Sequence, residues 1–226
     1  MQVIHRLAVR RAGGGKTAPV LVCDEGVLAE SADILAYADR RGPAGRRLYP
    51  EDPAAVGEIR ALEREFDERL GPQGRLWMYD QMRGRRDLVL AYGCTGVPAW
   101  ERRMLPLFYP LMSKAIDVVL GVTPAAAKRS EAEVRAVFDV VDERLQDGRP
   151  YLCGDTFTAA DLTFSALAAA VLVPPEYGVP LPQPDELPAT FATVVRELRE
   201  RPAGAHALAM YRAERRPAPL ASAVRG

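Results

Sequence analysis

Thr158-Ala159-Ala160-Asp161, preceded by Phe157 and followed by Leu162, opens the most apolar run of the sequence, and no other feature restricts the fold so tightly. These are the residues of a capping box: Thr158 can accept from the Asp161 amide, Asp161 can reach back to the Thr158 amide, and Phe157 can staple onto Leu162. From Leu162 to Val173 about twelve residues follow with only Thr163 and Ser165 as polar interruptions, well short of the roughly 20 that cross a bilayer. A helix that is apolar all round has to be enclosed by other elements. Its amino end, once enclosed, needs a cap, because unpaired backbone donors are costly away from water. Asp161 is therefore expected to be structural rather than catalytic, and loss of the cap to cost about 0.5 to 2 kcal/mol.

Enclosing elements can be read on both sides of that run. Asp52 and Pro53 suit an N-cap and first helical position, after which Val56, Ile59, Leu62, Phe66 and Leu70 share one stripe until Gly71 and Pro72. Thr123 and Pro124 repeat the opening, and Val134, Val137, Phe138, Val141 and Leu145 mark a second stripe until Gly148 and Pro150. Residues 71–121 are harder to divide. Met104 to Leu120 has helical composition, but Pro106 and Pro110 should break or kink it early.

The beginning has another character. Pro19 to Val22 is β-prone, Asp24-Glu25-Gly26 reads as a turn, and Val27-Leu28 as a returning strand. Ser31 then precedes Ile34, Leu35 and Ala38 at helical spacing, ended by Gly42 and Pro43. The expected organisation is a small α/β unit over residues 1–43, a linker over 44–51, an all-helical domain over 52–214 and a flexible tail over 215–226.

Thirty basic and thirty acidic side chains cancel, so no long-range field draws the whole protein to nucleic acid or to a membrane, although local basic patches remain open. Three dispersed cysteines and two histidines make neither a disulfide framework nor a zinc site. Met1 to Val9 is too polar and short for a secretory segment, and a cytoplasmic, reduced protein is expected. Gly13-Gly14-Gly15-Lys16-Thr17 invites comparison with a phosphate loop. The motif's first glycine is missing, however, since Arg10 stands there, and a strand rather than a helix follows. Cys23 and Cys153, inside apolar segments, are read as small hydrophobes rather than thiolates. Trp77, Tyr79, Trp100, Phe108 and Tyr109 could wall an apolar pocket or simply pack in the core.

Tyr151, Gly154, Asp155, Thr158, Ala160, Asp161 and Leu162 together resemble the start of the core helix in the soluble glutathione transferases. Ala18-Pro19-Val20-Leu21, the turn, and Glu30-Ser31 are similar to that family's glutathione-binding half. The resemblance implies a thioredoxin-like unit, incomplete here, followed by a transferase-type helical bundle. It implies a cis bond before Pro19 at the head of a strand, with Ala18 offering backbone groups to glutathione as to an added strand. Ser31 would hold the γ-glutamyl carboxylate at a helix amino terminus, and Glu30 its ammonium. On the residues alone, Ser31 as a plain N-cap, Glu30 as a solvated charge and Pro19 as a strand-starting proline is the preferred reading, and only together with the downstream capping box and the helical second half does the balance turn to a glutathione-type site.

Only eighteen residues precede Pro19, and Met1 to Ala18 resembles the loop and short helix just before that proline. The family's first strand, first helix and most of its second strand thus have no counterpart, and the catalytic Ser, Tyr or Cys is expected in that missing segment of a shortened chain. The implied activity is transfer of the glutathione thiol to a small apolar electrophile, with glutathione as co-substrate and a homodimer as the family's habit. A non-catalytic interaction module and other glutathione-dependent thiol reactions, such as isomerisation, dehalogenation or disulfide reduction, are the alternatives.

Overall fold

A computed structural model describes residues 9–13, 18–95 and 97–215. Strands β1 (Leu21–Cys23) and β2 (Gly26–Leu28) form an antiparallel hairpin about Asp24-Glu25, with Leu21 opposite Leu28, Val22 opposite Val27 and Cys23 opposite Gly26. Gly26 has φ +105°, a conformation that a side chain would resist, which is why glycine closes this tight connection. Helix α1 (Ser31–Arg41) follows and clamps the turn. Tyr37 donates to Asp24 at 2.8 Å, Arg40 pairs with Glu25 at 2.6 Å, and Arg41 pairs with Asp24.

The segment expected to be a linker is tied at several points. Leu48 N–H donates to Asp39 Oδ1 at 2.6 Å, Tyr49 donates to Glu63 at 2.8 Å, and the Leu48 carbonyl accepts from Ala159 N–H at 3.1 Å. The last bond links this stretch directly to the amino end of the apolar helix.

The remaining elements are helices: α2 (Pro53–Glu65), α3 (Gly71–Gln81), α4 (Arg86–Gly93), α5 (Ala99–Leu120), α6 (Pro124–Leu145), α7 (Ala159–Leu172), α8 (Ala189–Glu200) and α9 (Pro202–Glu214). Asp52 caps α2 as expected, its carboxylate accepting from Ala54 and Ala55 N–H at 3.3 and 3.1 Å. Asp52→Ala should therefore cost about 1 kcal/mol in a urea unfolding titration. An unchanged midpoint would show that the helix start is held by its tertiary contacts alone.

Two boundaries differ from the sequence reading. Gly71-Pro72 does not stop the second helical stripe. A π turn over Phe66–Leu70 carries α2 into α3, and the Gly71 N–H donates to the Phe66 carbonyl. Gly71 serves close packing instead: a Cβ there would lie 3.3 Å from the Leu167 side chain of α7. Pro106 and Pro110 do not break α5 either. Pro110 has no N–H for the Pro106 carbonyl, and that carbonyl accepts from the Arg86 guanidinium of α4 at 2.7 Å.

Helix α7 is wrapped by α2, the π turn, α3, α8 and α9. Phe164 at its centre meets Phe66 of the π turn and Phe138 of α6 at ring separations of 5.2 and 5.5 Å, and all three are fully buried. Both ends of α7 are satisfied. Its amino end carries the capping box, and at its carboxyl end Arg199 of α8 donates to the Leu172 and Val173 carbonyls at 2.8 and 2.7 Å.

Candidate functional site

The hairpin register gathers the four residues implied as glutathione ligands. Ala18-Pro19 precede Leu21 and Glu30-Ser31 follow Leu28 by matching intervals, so all four emerge at the open end of the hairpin. The Ala18–Pro19 peptide is cis. Glu30 is the N-cap residue of α1, in extended conformation and without a side-chain capping bond. Ser31 is the first helical residue rather than the N-cap, so its hydroxyl is not consumed in closing the helix. The Glu30 carbonyl accepts from Asp33 and Ile34 N–H at 3.1 Å each, which leaves the Ser31 and Ala32 amides of the first turn directed outward. With the positive end of the helix dipole, they form a cradle for a carboxylate.

The helical domain adds to this end in a way the sequence reading missed. Arg60 of α2 donates to the Ala32 carbonyl at 3.4 Å, stacks over the Tyr49 ring at 4.3 Å and pairs with Glu63 at 3.3 Å. Burial raises the Glu63 carboxyl from its ordinary value against the opposing pull of Tyr49 and Arg60, and burial followed by the Glu63 hydrogen bond raises the Tyr49 phenol. On the π turn, Asp67 is also raised, first by desolvation and then by the negative charge of Glu30. Glu30 and Asp67 are thus two carboxylates within electrostatic reach of one another. A carboxylate cradle beside two acids suits the zwitterionic end of an amino acid. Asp67 could not be assigned here from sequence, because nothing within its own helix links it to Glu30, which stands far earlier in the chain.

The capping-box residues lie where the sequence places them. Thr158 N–H and Oγ1–H donate to Asp161 Oδ2 at 2.9 and 2.8 Å, and the reciprocal half of the box is present. Phe157 and Leu162 border the same cavity of about 290 Å³, with Ser165 and Met210 among its other walls. Asp161 does more than cap. Its second oxygen accepts from Leu152 N–H at 2.8 Å and meets His206 Nε2 of α9 at 3.0 Å.

Among the remaining candidates, Cys23 and Cys153 are half-buried rather than buried. Desolvation pushes the Cys153 thiol up to about 11, so it is a thiol and not a thiolate at neutral pH. The five aromatics do not converge. Trp77 packs edge-on against Phe191 at 5.0 Å in the core, whereas Trp100 and Phe108 are exposed on α5. Gly14 to Thr17 of the phosphate-loop-like stretch lie outside the described residues.

Hairpin, capped helix and helical bundle define the class as the glutathione transferase fold. The β-etherase LigF of Sphingobium sp. strain SYK-6 is similar over 89% of this chain and 80% of its own, with 18% identity and a TM-score of 0.51. Gtt2 of Saccharomyces cerevisiae matches over 89% and 78%, with 20% identity and a TM-score of 0.47. A glutathione S-transferase of Methylobacterium radiotolerans in complex with glutathione sulfonate matches over 85% and 72%, with 18% identity and a TM-score of 0.45. A comparison with curated proteins finds no match. Residues 124–207 match the family of the glutathione S-transferase C-terminal domain, and that part of the chain belongs to it.

Proposed function

We propose that this protein binds glutathione at the open end of the hairpin and takes part in transferring its thiol to a small apolar electrophile. The observation that carries the reading is the amino end of α1: outward amides and the Ser31 hydroxyl for the γ-glutamyl carboxylate, with Glu30 and Asp67 for the ammonium. Ala18, on the extended backbone before β1, supplies main-chain groups for the cysteinyl unit in the manner of an added strand. In the reaction the glutathione sulfur, having lost its proton, forms a bond to the electrophilic carbon as the leaving group departs with its electron pair. The described residues bind and orient glutathione in this scheme, and no residue is assigned to thiolate activation.

Titration calorimetry with reduced glutathione tests the binding step. Wild type should bind, and Ser31→Ala should weaken binding roughly 10-fold or more, the worth of a hydrogen bond to a charged group. Glu30→Gln combined with Asp67→Asn should weaken it at least as much. Absence of binding by folded wild type, or equal affinity in both variants, would remove the proposal.

A further inference from the structure

Helix α5 buries none of its 22 residues fully, in contrast to α6 and α7 beside it in sequence. Trp100, Met104, Leu107, Leu111 and Val118 recur at helical spacing and form one stripe, with Leu107 72% and Val118 75% exposed. Phe108 and Val119, also exposed, widen it on one flank. The stripe runs along a helix about 33 Å long, with Lys114 and Ala115 filling the turn between Leu111 and Val118, and an apolar surface of this extent marks an interaction site rather than scattered exposed residues. The opposite face of α5 is already engaged: Arg86 of α4 bonds to the Pro106 carbonyl and lies over the Tyr109 ring, and Arg83 pairs with Asp117 at 3.2 Å.

Charge decides what the stripe fits. Arg103 and Lys114 are eleven residues apart, three helical turns, and so occupy the same edge of the stripe. Both are exposed, and no ion pair among the described residues engages either. Of the helix's two acids, Asp117 is paired with Arg83 and Glu101 belongs to the other flank. An antiparallel two-fold pairing of this face with a second copy would set the cationic edge against itself, with no carboxylate between. A parallel pairing would press it onto the apolar flank of Phe108 and Val119. An anionic surface with an apolar interior beneath it satisfies both the stripe and its edge.

We propose that α5 lies in the plane of an anionic lipid surface, with Trp100, Leu107, Leu111 and Val118 entering the acyl boundary and Arg103 and Lys114 meeting lipid phosphates. No single helix among the described residues is long and apolar enough to cross a membrane, and α6 leaves α5 at a 63° bend, which suits a helix that rests on the surface. The inference stands apart from glutathione binding and concerns a local basic edge, which the zero net charge of the whole chain left open.

The test uses the full chain and vesicles of phosphatidylcholine with or without phosphatidylglycerol. The protein has two tryptophans, and Trp77 is 2% exposed, so a change in emission reports Trp100. Wild type should co-sediment with the anionic vesicles, shift its emission to the blue and be released by salt. Arg103→Gln with Lys114→Gln should lower the partition coefficient by about 5-fold for each cation removed. Leu107→Glu with Leu111→Glu should abolish binding, and circular dichroism should show the helix content of wild type in both variants. Wild type left in the supernatant, or binding that is equal on neutral vesicles and indifferent to the two cations, would overturn the proposal. So would a dimer in solution that Leu107→Glu with Leu111→Glu dissociates while wild type ignores vesicles, which would give the face to a second copy.

Discussion

Asp161→Ala is expected to lower the unfolding free energy by about 3 to 5 kcal/mol, several times what loss of an N-cap costs. The carboxylate is fully buried and receives Leu152 N–H, Thr158 N–H, the Thr158 hydroxyl and His206. Leu152 and Thr158 are themselves buried, so water cannot replace what is removed, and each orphaned donor carries a desolvation cost of about 1 to 3 kcal/mol. The carboxylate joins three parts of the bundle: the 151–154 turn, the start of α7, and α9 through His206. Urea unfolding should show a lower midpoint with an unchanged slope, and the melting temperature should fall by roughly 6 to 20 °C. Asp161→Asn keeps the size and one acceptor and should lose about half as much. A loss below about 1 kcal/mol for the alanine variant would mean that Asp161 acts only as a cap.

Gly204→Ala should be the second most damaging change, about 3 kcal/mol, although alanine is the better helix former. A Cβ at Gly204 would stand 1.8 Å from the Leu198 carbonyl oxygen and 3.0 Å from the Arg199 Cα. These are backbone atoms of α8, so no rotamer change can relieve the overlap, and α9 must retreat by more than an ångström. That movement would strain the Ala203 N–H bond to Asp142 at 2.7 Å and open the contacts of Ala203 and Ala207, both fully buried. Gly57 is the control. It is exposed on α2 with nothing within 4 Å of its Cβ position, and Gly57→Ala should stabilise by about 0.5 to 1 kcal/mol. If both substitutions moved the thermal midpoint in the same direction, helix propensity and not close packing would govern position 204.

Much of the helical architecture was legible where local chemistry and burial agree. Asp52-Pro53, Thr123-Pro124 and the Thr158–Asp161 box each satisfy backbone groups within a few residues, so their effect is encoded next to their cause. The hairpin was legible for the same reason, although Gly26, read as part of the turn, pairs with Cys23 in the ladder. Proline and glycine misled where distant residues compensate. Pro110 is tolerated because Arg86 takes the Pro106 carbonyl, and Gly71-Pro72 is passed because a π turn changes the register. Of the candidate site, Ala18, Pro19, Glu30 and Ser31 were assigned by resemblance, whereas Asp67 is tied to Glu30 only through the tertiary fold. The exposed stripe of α5 carries the same residue types as a core helix, so periodicity could not tell which of the two it was.

The sequence by itself determined that residues 159–172 form a helix, that this helix is buried, and that Asp161 closes its amino end, because capping and amphipathicity act over one or two turns. Only the tertiary structure decided that the same carboxylate also receives Leu152 and His206, and that Arg199 covers the far end of the helix. It also decided that Gly204 is where α9 touches α8, and that the charge of Glu30 reaches Asp67. The physical reason is range: a backbone donor finds its cap within a turn, whereas a buried charge, a helix crossing or a paired carboxylate depends on which distant surfaces the core brings together.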